Sequence, residues 1–319
     1  MIPFTDSTTF AGVPLALLLS PWLMGLLGLV VGSFLNVVVH RKPLMLERQW
    51  WGDSAAQLGD AEGYQRVFGS AAPEKLMKSA ADVSAAVEKL APLSLSKPAS
   101  RCPSCGHRIR WFENIPLLSW LALKGRCSKC GTGIALRYPL VELGTAVLFA
   151  ALAWRIGPVP QTALWCAMAA ALLALALIDW DTTVLPDDIN LPLMWAGLVS
   201  AALGWLPGHT GVQAIWGAVV GYLALWSVYW LFKLATGKEG MGYGDFKLLA
   251  ALGAWLGWQA VLPIVLMASV LGAIVGLVMK ATGSLREGRF VPFGPFLAGG
   301  GVVVMLAGLP RVLEWIGWA

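Results

Sequence analysis

Apolar residues in this chain fall in long unbroken runs, without the alternation of a half-buried strand or the three-to-four spacing of an amphipathic surface helix. The first run extends from about Pro14 to Val39. Others follow at about 138–156, 161–178, 189–206, 211–235, 246–258, 259–280 and 292–317, separated by turn signals such as GPVP and LPGH. A helix needs about 20 residues to cross a ~30 Å hydrocarbon core, so the pattern predicts an all-α polytopic membrane protein with about eight transmembrane helices. The run 246–258 is short for a crossing and is expected to tilt or to join its neighbour as a bent pair. The first run exceeds the roughly 7 to 15 apolar residues of a signal-peptide core, and its flank MIPFTDSTTF carries no Lys or Arg, so it reads as a retained span.

One polar stretch interrupts this pattern. Residues 41–137 form a small insertion between the first and second helices, which divides the chain into a first transmembrane helix (1–40), the insertion (41–137) and a seven-helix membrane domain (138–319). Within the insertion, residues 54–100 are rich in Ala, Ser, Lys and Glu and predict one or two short surface helices, one of them around Pro73 to Leu90.

Composition sharpens this reading. Of the 319 residues 57% are hydrophobic and 13% charged, against roughly 25% charged in soluble domains, which excludes a conventional soluble enzyme, disorder and coiled coil. Net charge is +5, and its distribution gives an orientation. The insertion holds 15 of the 23 Lys and Arg; with eight spans, Lys233, Lys238, Lys247, Lys280, Arg286 and Arg289 join it on one side, leaving Arg155 and Arg311 on the other. Basic loops stay in the cytoplasm, so the insertion is expected there, with both termini outside. The basic charge is then topological, with some attraction to anionic membrane lipid, and no motif supports nucleic-acid binding.

Four of the five cysteines form two pairs, Cys102-Pro-Ser-Cys105 and Cys127-Ser-Lys-Cys130, while Cys166 lies in an apolar run. Each CxxC sets two thiolates on one tight turn with a glycine directly after it, and two such knuckles make a tetrahedral S4 set suited to zinc. Four cysteines close the coordination sphere, so the zinc is expected to be structural. A dithiol redox pair is the alternative, but two similar knuckles exceed what one redox centre requires.

The acidic residues carry the second signal. Asp179 ends the third apolar run and Asp245 begins the sixth, on the same expected face. Ionisable groups at membrane depth are costly and point to function. Two carboxylates sharing a partly desolvated site do not easily both ionise, and such a pair can act as an aspartic-protease dyad: one member takes a proton from water while the other polarises the scissile carbonyl. Gly242 and Gly244 let the backbone approach another chain closely and adopt positive φ, so an extended substrate can lie against that loop. Asp181, Asp187 and Asp188 read as interfacial groups, with Asp187 or Asp188 capping the span that begins near Ile189.

Several motifs in order carry a resemblance: GSFLNVVVHRKP at 32–43, the double CxxC enclosing WFENIPLLSW, YPLVEL at 138–143, IDWDTTVLPD at 178–187, GKEGMGYGDFKLL at 237–249 and PFGPFLA at 292–298. Together they resemble the bacterial type IV prepilin leader peptidases, GxGD aspartic proteases of the cytoplasmic membrane. The resemblance implies cleavage of prepilins and type II secretion pseudopilins after the Gly that ends a short basic leader, followed by N-methylation of the new terminus from S-adenosylmethionine. It places the catalytic pair at Asp179 and Asp245, the former seven residues before Pro186; Asp181 is a rival within the same motif. Two other classes stay open at this point, a GxGD protease that cuts transmembrane helices and a non-enzymatic transporter or scaffold.

Other residues weigh less. Glu142 is expected either to hydrogen-bond near the site or to pair with a neighbouring span, and Asn36 and His40 to be structural groups at the end of the first span. Gly294 reads as a bend between two prolines. The three histidines (40, 107 and 209) form no cluster, and no GxSxG or strand-to-helix GxGxxG is present. A methyl donor therefore needs an unconventional pocket, expected in the insertion and its junction with the spans, around Trp111 to Trp120 and the cysteine knuckles, where aromatic faces can stack on adenine or attract a sulfonium.

Overall fold

The computed structural model describes residues 9–10, 13–283 and 291–318; Arg286 and Arg289 of the basic count lie outside the described residues. A two-residue hairpin, β1 (Thr9–Phe10) and β2 (Val13–Pro14), and a single turn, α1 (Leu15–Leu18), precede α2 (Pro21–Leu58). The insertion carries α3 (Ala61–Phe68), α4 (Glu74–Glu88) and α5 (Leu118–Ala122). The membrane domain follows as α6 (Arg137–Ile156), α7 (Gln161–Thr182), α8 (Asp187–Ala202), α9 (Gly211–Thr236), α10 (Tyr243–Leu256), α11 (Val261–Ala281), α12 (Gly294–Ala307) and α13 (Leu309–Trp315). All the apolar runs are helical. Among the described residues five helices are long and apolar enough to cross a bilayer, and the pair α12 and α13, bent by 110°, makes a sixth if it is counted as one span. The bend falls at Gly308, whose φ of 86° requires glycine there.

Two departures from the sequence pattern matter for the site. The helix of the first span does not end with its apolar run: Ser20 caps it, Pro21 occupies its first turn, and it continues to Leu58, for a length of about 57 Å at 1.5 Å per residue. No Gly or Pro stops it between Pro43 and Gly52, so polar residues after Val39 change its solvent but not its conformation. The second departure is α10, only 14 residues long and buried over ten of them, from Asp245 to Trp255 with the exception of Lys247. A helix that is apolar all round belongs inside a bundle. It packs against α8, α9 and α12, so its length need not match the bilayer.

Between helices in lipid there is little hydrophobic driving force, and close packing does the work instead. Gly217 of α9 and Gly253 of α10 meet backbone to backbone, an approach that any side chain would block. The Trp255 indole N–H donates to the Leu193 carbonyl at 2.8 Å and ties α10 to α8. Large apolar side chains on the outer faces remain exposed, among them Trp22, Leu231 and Leu277, as lipid-facing positions are.

Candidate active site

The helix directions bring the acidic residues to one end of the bundle. Chain leaves the insertion into α6, crosses, and returns along α7, so the start of α6 and the end of α7 are neighbours. Arg137, the first residue of α6, pairs with Asp181 near the end of α7 at 2.8 Å. Lys42 of α2 likewise pairs with Asp188, and Lys247 of α10 with Asp187 at 2.7 Å. These lysines claim the carboxylates of Asp187 and Asp188, which stand in the first turn of α8 and make no side-chain cap, contrary to the expectation that one of them caps that helix.

Asp179 and Asp245 differ from these exposed, ion-paired acids. Their exposures are 5% and 7%. Both line one cavity of about 400 Å³, together with Thr183, Leu185, Gly242 and Gly244. Asp179 Oδ2 accepts the Gly294 backbone N–H at 3.0 Å, a bond that fixes the carboxyl against the start of α12. Asp245 sits in the first turn of α10; its Oδ1 is buried and has no hydrogen-bond partner among the described residues. Such an atom is ready for a shared proton, a water or a substrate group.

The glycines fit tightly around the two carboxylates. Gly294 is more than a bend, since a Cβ there would stand 2.6 Å from Asp179 Oδ2. Neither Gly242, with φ −84°, nor Gly244 adopts the positive φ expected of them. Gly244 instead serves close approach, because a Cβ on it would lie 2.8 Å from the Leu185 side chain. Asn190, wholly buried on α8, donates from Nδ2 to the Gly244 carbonyl at 3.2 Å and so holds the residue before Asp245. A polar residue inside an apolar run was its only signal.

The cysteines form a separate centre. In the first knuckle the Gly106 N–H donates to the Cys102 carbonyl at 2.9 Å and in the second the Gly131 N–H to the Cys127 carbonyl at 3.0 Å, both glycines having φ near +70°. The four Sγ atoms lie within 4.8 Å of one another. Two of the separations are 3.7 Å, Cys102 to Cys130, and 4.0 Å, Cys105 to Cys127. A zinc tetrahedron with Zn–S bonds of ~2.3 Å has edges of about 3.8 Å, so these residues fit the metal. Cys166 is buried in α7, apart from them.

Glu113, which the sequence reading passed over, links the knuckles. Its carboxylate accepts from Ser128 Oγ at 2.6 Å and the Arg110 backbone N–H at 2.8 Å, and lies 3.1 Å from His107 Nε2. These partners, the Ser128 hydroxyl foremost, hold its carboxyl down to about 2. The insertion joins the bundle through Glu142 of α6, which accepts the Leu117 backbone N–H at 2.8 Å, while Asn36 of α2 donates to the Tyr138 carbonyl at 3.1 Å and ties the first span to α6. Glu142 therefore pairs with the insertion and lies outside the aspartate cavity.

Comparison with known proteins agrees with this geometry. Residues 26–156 match the bacterial peptidase A24 N-terminal domain, and residues 166–277 match the type IV leader peptidase family. The chain is 48% identical over 298 residues to the prepilin leader peptidase/N-methyltransferase of Stutzerimonas stutzeri, covering 93% of both chains. It is 49% identical over 283 residues to the protein of that name from Pseudomonas putida, covering 88% of both. With the one from Aeromonas salmonicida identity is 46% over 300 residues, 92% of this chain and 94% of the relative. No solved structure matches the chain.

Proposed function

The chain belongs to the type IV leader peptidase family, and from that premise we propose that it removes the leader of prepilins with Asp179 and Asp245 and then methylates the exposed amino terminus. The observation that carries the reading is the pair of buried carboxylates in one cavity, at the bundle end to which the insertion is attached. One carboxyl takes a proton from water as it attacks the scissile carbonyl; the other, protonated, stabilises the developing oxyanion and gives its proton to the departing amine. Gly294 holds Asp179 in place for this, and Asn190 holds the loop that presents Asp245.

The cavity complements a basic leader, since its charged lining residues are all acidic: Asp179, Asp181, Glu239 and Asp245. The hydrophobic helix that follows the cut can remain in lipid while the leader enters from the aqueous side. Pseudopilins share that chemistry and are substrates of the same kind. The aqueous side is the cytoplasm of a bacterium, and the membrane its inner membrane. Lys42, Lys247 and the insertion share the cavity's end, while Arg155 lies against Gly308, close in sequence to Arg311, at the other end.

Zinc, held by Cys102, Cys105, Cys127 and Cys130, is structural here: a closed sulfur set supplies folding energy to the insertion and leaves no position for a reacting water. S-adenosylmethionine would supply an electrophilic methyl group for the second reaction. The test is incubation of the purified protein with a prepilin, with and without S-adenosylmethionine, followed by mass measurement. A product lacking its leader, and heavier by one methyl group only when the donor is present, supports the reading; an intact prepilin in both contradicts it.

A further inference from the structure

A second cavity, of about 490 Å³, adjoins the first and shares Thr183, Leu185 and Gly244 with it as a common wall. The peptidase reading makes no use of it. Its size lies within the ~300–1,000 Å³ range of small-molecule sites. On its far side is the polar extension of α2, contributing Trp50, whose ring is half exposed.

The two cavities differ in charge. The charged residues lining the aspartate cavity are all carboxylates, whereas the second presents both signs, Asp187 and Asp188 with Lys247. Both acids are exposed, at 53% and 48%, and their pairs with Lys247 and Lys42 are surface ion pairs, which cost little to rearrange. A wall of mixed sign beside an aromatic face does not favour a basic peptide. It suits a small zwitterion with a flat ring: a carboxylate for Lys247, an ammonium for Asp187 or Asp188, and a purine to stack on Trp50.

We propose that this second cavity is the methyl-donor site and that it binds S-adenosylmethionine. The proposal rests on the reading of the chain as a methyltransferase. It explains how two reactions share one substrate, since the amine freed at the aspartates emerges one wall away from the donor. In the transfer the N–C bond forms as the C–S bond breaks. Sulfur keeps the electron pair as a neutral thioether, and the amine's proton leaves to water.

The site differs from the one expected at Trp111 to Trp120. Trp120 is occupied within the insertion, where its indole N–H donates to the Ile134 carbonyl at 3.3 Å. Trp111 is 81% exposed and meets Phe112 edge-on.

The test has a binding arm and a labelling arm, both on the full-length protein. S-adenosylhomocysteine is the probe for binding: Trp50→Ala is expected to raise its Kd by about tenfold or more, with Trp50→Phe within about threefold and Trp111→Ala unchanged. Ultraviolet crosslinking of tritiated S-adenosylmethionine to wild-type protein requires no variant to fold, and the label is expected in the peptide that carries Trp50. Label confined to residues 102–134, or a loss of binding with Trp111→Ala but not with Trp50→Ala, overturns this site and leaves the methyltransferase reading standing. If wild-type protein transfers no methyl group to a cleaved prepilin, both are overturned.

Discussion

The cysteine centre of the insertion and the aspartate cavity of the bundle are assembled in opposite ways. The cysteines are close in sequence, and each knuckle is shaped by hydrogen bonds within a single short turn. The aspartates come from α7 and α10, with two helices between them in the chain, and meet only when α12 supplies the Gly294 N–H and α8 supplies Asn190. The first centre is partly exposed, its four thiols placed where a metal can bind; the second is buried and held by packed helices. A locally built site should fail locally, by losing its ion. A site built from the whole bundle should fail in function after subtle changes that leave the fold intact.

The largest expected effect lies in the bundle. Asp245→Asn should lower prepilin cleavage by about a thousandfold or more, because neither carboxyl can perform the other's proton transfer. Its yield in the membrane and its melting temperature should match those of the wild type. Gly294→Ala comes next. Its methyl group displaces the Asp179 carboxyl from a position 2.6 Å away, and a shift approaching 1 Å costs about a hundredfold in rate. A Gly294→Ala enzyme with wild-type kcat/KM would show that Asp179 is not held in a critical position.

The insertion should respond differently. Cys127→Ser should take zinc from one ion per chain to none, by elemental analysis of chelator-free protein, and open residues 102–134 to protease while α6 to α13 stay protected. Cleavage should drop less than with Asp245→Asn, by about tenfold, since residues 102–134 are tied to α6 through the Leu117–Glu142 bond and do not line the aspartate cavity. Collapse of the whole bundle on zinc loss would erase the contrast between the two centres.

The smallest of these effects concerns Glu113. Its carboxyl titrates lower in the folded insertion, near 2, than the ~4.3 of an unfolded chain, so its hydrogen bonds stabilise the insertion fully above about pH 5 and lose that contribution as pH falls toward 2. Protection of the insertion should therefore be weaker in Glu113→Gln than in wild type at pH 7, and the difference should narrow below about pH 4. A gap that widens with acid would contradict the assigned contacts.

What the chain reveals before folding follows the same division. Spacing alone exposes the four-cysteine cluster, because CxxC turns with their glycines are local objects. The apolar runs give the helices for an equally local reason. Asp179 and Asp245 are visible as charges at the ends of apolar runs, but their meeting is not, since it depends on how α7, α8, α10 and α12 cross. The partners of Gly244 and Gly294 and the role of Asn190 were hidden for that reason: each acts through a residue distant in the chain. The extension of α2 to Leu58 was hidden because hydropathy marks where lipid ends, whereas helix ends are set by breakers and caps.

The central claim is that Asp179, and not its neighbour Asp181, forms the catalytic pair with Asp245. Asp179 is buried on the Gly294 N–H, while Asp181 is partly exposed and paired with Arg137. The direct measurement is the cleavage rate of one prepilin by purified Asp179→Asn and Asp181→Asn, followed by product mass. The account predicts that Asp179→Asn is slower by about a thousandfold or more, with Asp181→Asn within about threefold of wild type. An active Asp179→Asn beside an inactive Asp181→Asn would contradict it.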